Sequence, residues 1–307
     1  MMKPNTLEFV SIFQQKLDQK MMQDATSGWM EANATQVKYT GGDTVKMPTI
    51  ELDGLADYDR VGGYTAGSVS LKFEDYKLTQ DRGRAFQLDI RDVDETGFIA
   101  SAANVVATFQ KEHVVPEVDA YRYSKIAALA KAAGNETAAF TPTVANILEQ
   151  LDKDIAAVQD VVGDSMQFVI AMPMSTRAIL SKASGVQHML DVGDFKAGEF
   201  NNRVKLYNGI PIITVPSARM QTAYKFNDGV TSGQEKGGFE KDSTAKAINW
   251  IVMLQSAPIA VSKTDTLRIF DPMTNQQATA WRIDYRKFHD VWVPKHRLAG
   301  VWVNTGA

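Results

Sequence analysis

Apolar residues recur at helical spacing along an unusually long stretch, residues 92–134. They form two successive stripes: Phe98, Ala102, Val105 and Phe109, then Val115, Val118, Tyr121, Ile126 and Leu129. Asp92 followed by Glu95 has the pattern of a capping box, which predicts a helix start. Pro116 lacks an amide N–H and crowds the carbonyl of Glu112, so we expect a kink or break there. The pattern predicts a long helical strut with two apolar faces.

Two different patterns precede the strut. Phe9, Phe13, Leu17 and Met21 are spaced by four, which predicts an amphipathic helix over residues 4–24, packed on its own domain or on a neighbouring subunit. Residues 36–91 are instead rich in turn-forming glycine and in strand-like runs. The predicted strands are Val37–Tyr39, Val45–Leu52, Ser68–Lys77 and Ala85–Ile90. A long two-stranded ribbon with one thin apolar face is not stable alone, so we expect it to lean on another element.

Helical and strand patterns alternate after the strut, which predicts an α/β domain over residues 135–262. Its predicted elements are a helix from Thr141-Pro142 to about residue 160, a buried strand Met166–Pro173, a short helix Ser175–Lys182 capped by Ser175, a hairpin around Asn208-Gly209, an exposed loop 227–246 and a buried strand Ile248–Gln255. The remaining chain predicts three strands: Ile259–Ile269, Ala278–Lys287 and, after a short bend, Asp290–Val303.

Composition narrows the function classes. The 307 residues are 44% hydrophobic and 22% charged, which is typical of a globular protein. The net charge of −3 argues against a nucleic-acid-binding protein that relies on counterion release. The chain has no cysteine, which excludes disulfides, thiolate nucleophiles and cysteine–zinc sites. No apolar run is long enough to predict a membrane span, and residues 1–20 lack the pattern of a signal peptide.

Catalytic and cofactor motifs are not found, so we expect neither an enzyme nor a cofactor. The four histidines (His113, His188, His289 and His296) do not have metal-site spacing, and no phosphate-binding loop is present. The acidic cluster of Asp89, Asp92, Asp94 and Glu95 is better explained by helix capping than by metal binding. We interpret residues 80–84 as a hinge with salt bridges to this or a neighbouring chain. A polar catalytic loop is the less favoured alternative. Lys72, Lys77 and Asn304 are ordinary surface residues or, less favoured, partners in an isopeptide cross-link.

The ordered set of motifs resembles the major capsid proteins of tailed bacteriophages with the Hong Kong 97-type fold. The motifs that carry the resemblance are residues 54–64 (GLADYDRVGGY), 78–86 (LTQDRGRAF), 92–96 (DVDET), 115–121 (VPEVDAY) and 208–212 (NGIPI). They are structural signatures distributed over nearly the whole chain, and their order carries more information than any one of them.

The resemblance implies an α+β fold divided into five parts. Residues 1–36 would be an N-terminal arm, 37–91 an extended β loop over an adjacent subunit, and 92–134 the spine helix of a peripheral domain. Residues 135–262 would be the axial domain and 263–307 the closing strands of the peripheral domain. The implied inter-subunit contact candidates are Tyr58, Asp59, Arg60, Tyr64, Lys72, Arg82, Arg84 and Glu117.

The resemblance also implies partners and location. The chain would assemble with itself into hexamers and pentamers of an icosahedral virion capsid, built in the host bacterial cytoplasm around double-stranded DNA that it does not read by sequence. Because no long scaffolding segment precedes the arm, we expect a separate scaffolding protein, together with a portal and possibly a decoration protein, and no membrane partner. An encapsulin-like compartment that holds a cargo enzyme is the alternative with the same fold. An enzyme with an unrecognised site in the α/β domain is the alternative from another class.

Overall fold

A computed structural model describes residues 25–36, 38–39, 43–89, 105–163, 165–183, 190–197, 200–275 and 278–307. The predicted helix over 4–24 and the predicted capping box of Asp92 and Glu95 lie outside these residues. The strands are β1 (Lys38–Tyr39), β2 (Thr44–Leu52), β3 (Val69–Lys77), β4 (Gln80–Asp89), β5 (Glu136–Thr137), β6 (Phe168–Pro173), β7 (Leu190–Ala197), β8 (Phe200–Tyr207), β9 (Ile210–Val215), β10 (Tyr224–Phe226), β11 (Phe239–Lys241), β12 (Ile248–Leu254), β13 (Ile259–Phe270), β14 (Ala280–Trp292) and β15 (Val301–Thr305). The α-helices include α1 (Val115–Ala132), α2 (Ile147–Val162) and α3 (Met174–Leu180).

A seven-stranded sheet in the order β5-β15-β12-β6-β9-β8-β7 forms the larger half of the fold. Every residue of β6 and β12 is buried, which confirms the two predicted buried strands. The β8–β9 hairpin also agrees with prediction, because Asn208 (φ 48°) and Gly209 (φ 81°) adopt the left-handed conformations that a tight turn requires. Helices α1 and α2 contribute to the same hydrophobic core as this sheet. β15 lies beyond the predicted limit at residue 262, so the sheet is completed by a late part of the chain.

A second sheet, in the order β13-β14-β4, corrects two predictions. β14 is one strand from Ala280 to Trp292, and the predicted bend between Lys287 and Asp290 is wrong because residues on both sides of it pair with β13 and β4. Residues 80–84, predicted as a hinge with salt bridges or as a catalytic loop, belong to β4 and pair with residues 285–289 of β14. The predicted salt bridges are present, since Asp81 pairs with Arg286 and Arg82 with Glu117. β4 therefore leaves the ribbon and joins the sheet.

The ribbon consists of β2 and β3, with β1 on the outer side of β2. The β2–β3 pairing is antiparallel and unbroken from Thr44↔Lys77 to Leu52↔Val69. Residues 53–68 connect the two strands at the far end. The predicted ribbon is thus confirmed over its first three strands.

The strut is helical from residue 105 onward and is not broken at Pro116. The backbone makes a π-helical turn over Gln110–Val114 and continues directly into α1, with Val114 in helical conformation (φ −71°, ψ −51°). The π turn restarts the hydrogen-bond register, so Pro116 lies in the first turn of α1, where its missing N–H costs little. The prediction was a kink or break; the structure has no break, and a π turn with a change in hydrogen-bond register lies just before Pro116.

Three smaller predictions are also corrected. Helix α2 begins at Ile147, because Asn146 Oδ1 accepts a hydrogen bond from the amide of Thr143 (2.7 Å) and holds the preceding residues in a turn. Pro173, and not Ser175, occupies the N-cap of α3. The predicted loop 227–246 contains β11, which pairs with β10 as a small hairpin. Among the described helices, none combines the length and apolar character of a membrane span.

Candidate functional site: surfaces for assembly

One face of the ribbon is apolar and exposed. Directly opposed pairs on this face are Pro48↔Phe73, Ile50↔Leu71 and Leu52↔Val69. All six residues are exposed, and the five large apolar ones range from 48% for Phe73 to 74% for Val69. Because side chains alternate along a strand, the other face carries Thr49, Ser70 and Lys72 at the same level. The outer half of the ribbon is therefore amphipathic, with its apolar side facing solvent.

The base of the ribbon is fixed to the fold through its opposite face. Val45 and Met47 are buried in a cluster with Leu78 of the β3–β4 connection, Ile259 and Val261 of β13, and Phe288 and Trp292 of β14. Tyr76 packs on Trp292, with ring centroids 5.6 Å apart. The inner ribbon is thus anchored, whereas the outer ribbon projects.

Residues 53–68 form a preorganised knob at the tip of the ribbon. Asp53 Oδ2 accepts hydrogen bonds from Ser68 N (2.7 Å) and Ser68 Oγ (2.8 Å), which closes the knob at its neck. Asp59 and Gly63 exchange backbone hydrogen bonds around a tight turn, and Gly63 has a positive φ of 82°. The Tyr58 and Tyr64 rings meet edge to face, with centroids 5.0 Å apart. These contacts hold exposed aromatic and acidic groups in one arrangement.

A second candidate surface lies where β4 meets the loop 227–238, around a cavity that we name the Arg82 cavity. Arg82 forms an ion pair with Glu117 of α1, and its Nη2 donates to the carbonyls of Asn227 (3.0 Å) and Gly238 (3.1 Å). Arg84 Nη2 donates to the carbonyl of Glu235 (3.2 Å). The two arginines hold the loop over a cavity of about 500 Å³.

The cavity has an aromatic wall and a polar end. Phe109 packs against Phe86 (4.9 Å between centroids) and Tyr285 (5.8 Å). Burial raises the pKa of Glu117, although the nearby Arg82 guanidinium opposes this shift. Burial, reinforced by surrounding cations, holds the pKa of His289 well below 6.5, so this histidine is neutral. The lining therefore combines aromatic rings, a neutral imidazole and a rim of charged groups.

Buried carboxylates connect distant parts of the chain. Asp119 of α1 is fully buried and accepts hydrogen bonds from Thr26 N (3.1 Å), Thr26 Oγ1 (2.9 Å), Ser27 N (3.0 Å) and Ser27 Oγ (2.6 Å). It also pairs with Arg219 Nη1 (2.9 Å). These contacts hold Thr26 and Ser27 against α1. They are one of the features that the sequence does not reveal.

Asp290 of β14 has a similar role on the other side of α1. Its carboxylate accepts from Thr79 N (3.0 Å) and Tyr121 OH (2.8 Å) and pairs with Lys125. The base of the ribbon, the helix and the second sheet therefore meet at one buried charge.

Asn304 is buried and does not offer its amide for cross-linking. Its Nδ2 donates to Asp154 Oδ2 (2.9 Å), which also accepts from Trp250 Nε1 (2.9 Å). Its Oδ1 accepts from Asn249 Nδ2 (2.9 Å). The carboxylate beside Asn304 is thus a structural acceptor, which argues against the isopeptide alternative. Within the described residues, no group of three or more potential ligands is placed to hold a metal ion.

The predicted contact residues fall into three places. Tyr58, Asp59, Arg60 and Tyr64 lie in the knob and Lys72 on the polar face of β3, whereas Arg82, Arg84 and Glu117 line the Arg82 cavity. The sequence predicted one thin apolar face on the ribbon but did not show which residues of the two strands it brings together. Every second residue is apolar in both strands: Ile50 and Leu52 in β2, and Val69, Leu71 and Phe73 in β3. The sequence shows this pattern, but it does not show the strand pairing that aligns these residues on one face.

Comparison with solved structures identifies the fold. The chain resembles the cyanophage P-SCSP1u capsid (TM-score 0.61, 12% identity, covering 88% of this chain and 85% of that chain). It also resembles the bacteriophage PhiM1 mature capsid (TM-score 0.58, 12% identity, 87% and 82% covered). A chain from Gordonia phage Cozz is similar too (TM-score 0.57, 15% identity, 90% and 86% covered). No protein-family model matches the sequence, and no curated protein matches it either.

These similarities extend over most of the chain and define the class. The protein has the fold of these phage capsid subunits. More narrowly, it is the fold of tailed-phage capsid proteins of the Hong Kong 97 type, as the sequence motifs predicted.

Proposed function

We propose that this chain is the major capsid protein of a tailed phage and that copies of it build an icosahedral shell around double-stranded DNA. The observation that carries the proposal is the exposed apolar face of the ribbon. A contiguous apolar face of this kind on a projecting element is typical of an interaction surface. In a shell of identical subunits, a second copy of the chain is the partner always present, and each contact is repeated by symmetry.

The energetics support assembly through this face. Full burial of a large aliphatic or aromatic side chain contributes about 1.5–3 kcal/mol. Five large apolar side chains on this face are each about half exposed or more, so covering them provides a substantial driving force. Because the ribbon is anchored at its base and held by paired strands, little additional ordering is needed when a neighbour covers it.

The five-part division follows from this proposal. Residues 1–36 serve as the arm, 37–91 as the extended loop, 92–134 as the spine helix, 135–262 as the axial domain and 263–307 as the closing strands, except that β4 pairs with β14 of the closing strands and β15 completes the sheet of the axial domain. The knob residues and the residues at the Arg82 cavity are then inter-subunit contacts. A scaffolding protein, a portal and a decoration protein are the expected further partners, with assembly in the bacterial cytoplasm. The net charge of −3 fits a wall that encloses DNA without condensing it.

Removal of residues 50–70 tests the proposal. We expect a folded subunit, because the base of the ribbon at Val45 and Met47 keeps its buried contacts. Negative-stain electron microscopy should show closed particles for the parent, alone or with a scaffolding partner, and none for the deletion variant. Closed particles from the deletion variant would refute the role of the ribbon. Small discrete oligomers from the parent under every condition would refute the shell function itself.

The same particles distinguish a capsid from a compartment. A phage capsid should purify from infected cells with double-stranded DNA inside. Particles that instead hold one enzyme and no DNA would favour the encapsulin-like alternative.

A further inference from the structure

The turn between β8 and β9 carries a chemically labile residue pair. Asn208-Gly209 is the single place in the sequence where glycine follows asparagine. Asparagine is one of the thermolabile residues, because its side-chain carbonyl carbon, Cγ, lies within reach of the backbone nitrogen of the next residue. Glycine has no Cβ that would hinder this approach. Both residues of the turn are exposed, so water reaches the site.

The Asn208 carboxamide also lacks the contacts that hold the other asparagines. Within the described part of the chain, the Asn208 side chain forms no hydrogen bond, and the amide of Gly209 donates none to another backbone group. The other asparagines with described side chains all form a side-chain hydrogen bond: Asn33, Asn135, Asn146, Asn227, Asn249, Asn275 and Asn304. Neither reacting group at the turn is therefore restrained by a hydrogen bond.

Two aspartates that precede glycine show the contrast. Asp53 and Asp228 are exposed, as Asn208 is, but each carboxylate accepts hydrogen bonds from nearby residues. These hydrogen bonds lower the pKa of both groups, and that of Asp228 to about 2. Both side chains are thus ionised carboxylates at neutral pH, and a carboxylate resists attack by a nitrogen nucleophile. The neutral carboxamide of Asn208 does not have this protection.

We propose that Asn208 deamidates spontaneously in the folded subunit, independently of assembly. The Gly209 nitrogen attacks Cγ of Asn208; a nitrogen–carbon bond forms, the bond from Cγ to Nδ2 breaks, and Nδ2 leaves as ammonia with the amide proton. The product is a cyclic succinimide. Water, the second reactant, then opens the ring. Cleavage at Cγ gives aspartate, whereas cleavage at the original peptide carbonyl gives isoaspartate, whose backbone runs through Cβ and Cγ.

Isoaspartate at this position changes the geometry of the turn. Asn208 and Gly209 reverse the chain with two left-handed residues (φ 48° and 81°), and isoaspartate adds one methylene to the backbone between them. The flanking residues Tyr207 and Ile210 pair directly across the hairpin. Tyr207 is fully buried, and its hydroxyl donates to Asp152 Oδ1 of α2 (2.7 Å). A longer turn therefore disturbs a buried contact between the main sheet and α2.

Peptide mapping of the folded subunit tests the assignment. Trypsin releases residues 206–219, in which Asn208 is the single amide side chain, so replacement of NH₂ by OH in this peptide is assigned without ambiguity. Purified subunit is incubated at physiological temperature, and samples taken over time are digested together and analysed by mass spectrometry. We expect conversion to be faster at higher pH, because the attacking nitrogen must lose its proton. It should be at least about tenfold faster than at any hydrogen-bonded asparagine, which corresponds to about 1.4 kcal/mol in the barrier.

Two results would overturn the assignment. One is an Asn208 rate no higher than that of the hydrogen-bonded asparagines. The other is conversion in urea but not in the folded subunit, since the turn itself would then protect the side chain. Neither result depends on particle formation, so failure of the parent to assemble would contradict the proposed function and leave this inference standing.

Two variants test the consequence for the hairpin. Asn208→Gly removes the carboxamide and suits a left-handed turn, so aged and fresh samples should unfold alike in urea. Freshly purified Asn208→Asp carries the charge of the direct product without the added methylene, and it should unfold as one population. The aged parent should contain a less stable fraction that grows with its isoaspartate content. An aged parent that contains isoaspartate and unfolds like fresh protein, or an equal loss of stability in aged Asn208→Gly, would refute the effect on the turn.

Discussion

Leu71→Lys should weaken shell assembly without lowering the stability of the unassembled subunit. Leu71 lies on the apolar face of the ribbon, opposite Ile50, and its side chain is 58% exposed in the single chain. Burial of the exposed part against a neighbour is worth about 1–2 kcal/mol, from the value of about 1.5–3 kcal/mol for a whole side chain. Insertion of a lysine loses this term and adds the desolvation of an ammonium group. We therefore expect a loss of about 2 kcal/mol per ribbon contact.

A loss of about 2 kcal/mol corresponds to roughly a thirtyfold change in an equilibrium constant, since 1.4 kcal/mol is tenfold. The concentration at which particles first form should rise by a similar factor, because each subunit contributes one ribbon. Sedimentation of particles from a dilution series measures this threshold, and urea unfolding of the unassembled subunit should give the parental value. The assembly threshold of each variant is measured in the buffer in which the parent assembles.

Ser70→Lys is the matched control. It adds the same charge to the neighbouring position of β3, but on the opposite face of the ribbon. We expect its assembly threshold to stay within a few-fold of the parental value. An equal rise for both variants would mean that added charge anywhere on the ribbon is harmful. A parental threshold for Leu71→Lys would show that the apolar face is not covered in the shell, and either result would refute the reasoning.

Two further predictions concern the subunit itself. Asp119→Ala should lower the free energy of unfolding by about 3–5 kcal/mol, because it leaves the buried donors of Thr26, Ser27 and Arg219 without their acceptor. Lys153→Ala, which breaks the exposed pair with Glu149, should change it by less than about 0.5 kcal/mol, and equal effects in urea unfolding would contradict the importance of burial. His289 has a depressed pKa, so below pH 6.5 the unfolded chain binds a proton that the folded chain does not, and stability falls as the pH drops. The slope contributed by this group reaches about 1.4 kcal/mol per pH unit, and His289→Gln should remove it between pH 6.5 and 5.5 while leaving the trend above pH 7.5 parallel to that of the parent. Identical slopes for parent and variant would show that His289 is accessible to protons in the folded chain.

The parts of the fold that could be predicted are those specified by neighbouring residues. The apolar runs around residues 168–173 and 248–254 could only be buried strands, and Asn208-Gly209 could only be a tight turn. The errors occur where a local signal competes with distant pairing. Residues 80–84 are polar and look like a loop, yet β14 supplies the hydrogen bonds that make them a strand.

For the candidate site too, local motifs could be predicted, whereas features that depend on distant pairing could not. The knob residues and the two arginines were predicted as contacts from their motifs and remain predictions. One thin apolar face was also predicted, but the residues that form it depend on the alignment of β2 with β3, about twenty residues apart at its middle. The Asp119 contacts join residues more than ninety positions apart, which no local pattern reveals. Pro116 has a clear local meaning, but the π turn that accommodates it depends on the three-dimensional path of the helix.

The position of β15 in the main sheet has a consequence for the timing of subunit production. Residues 301–305 lie between β5 and β12, although they are synthesised after every other strand described. Emerging chains therefore present an incomplete sheet with an unpaired edge at β12 until the ribosome has made this segment. Because domains fold as units and long-range pairings form slowly, the nascent subunit cannot reach its final shape early. Chains that end before residue 301 would lack this strand and would leave the edge of β12 unpaired.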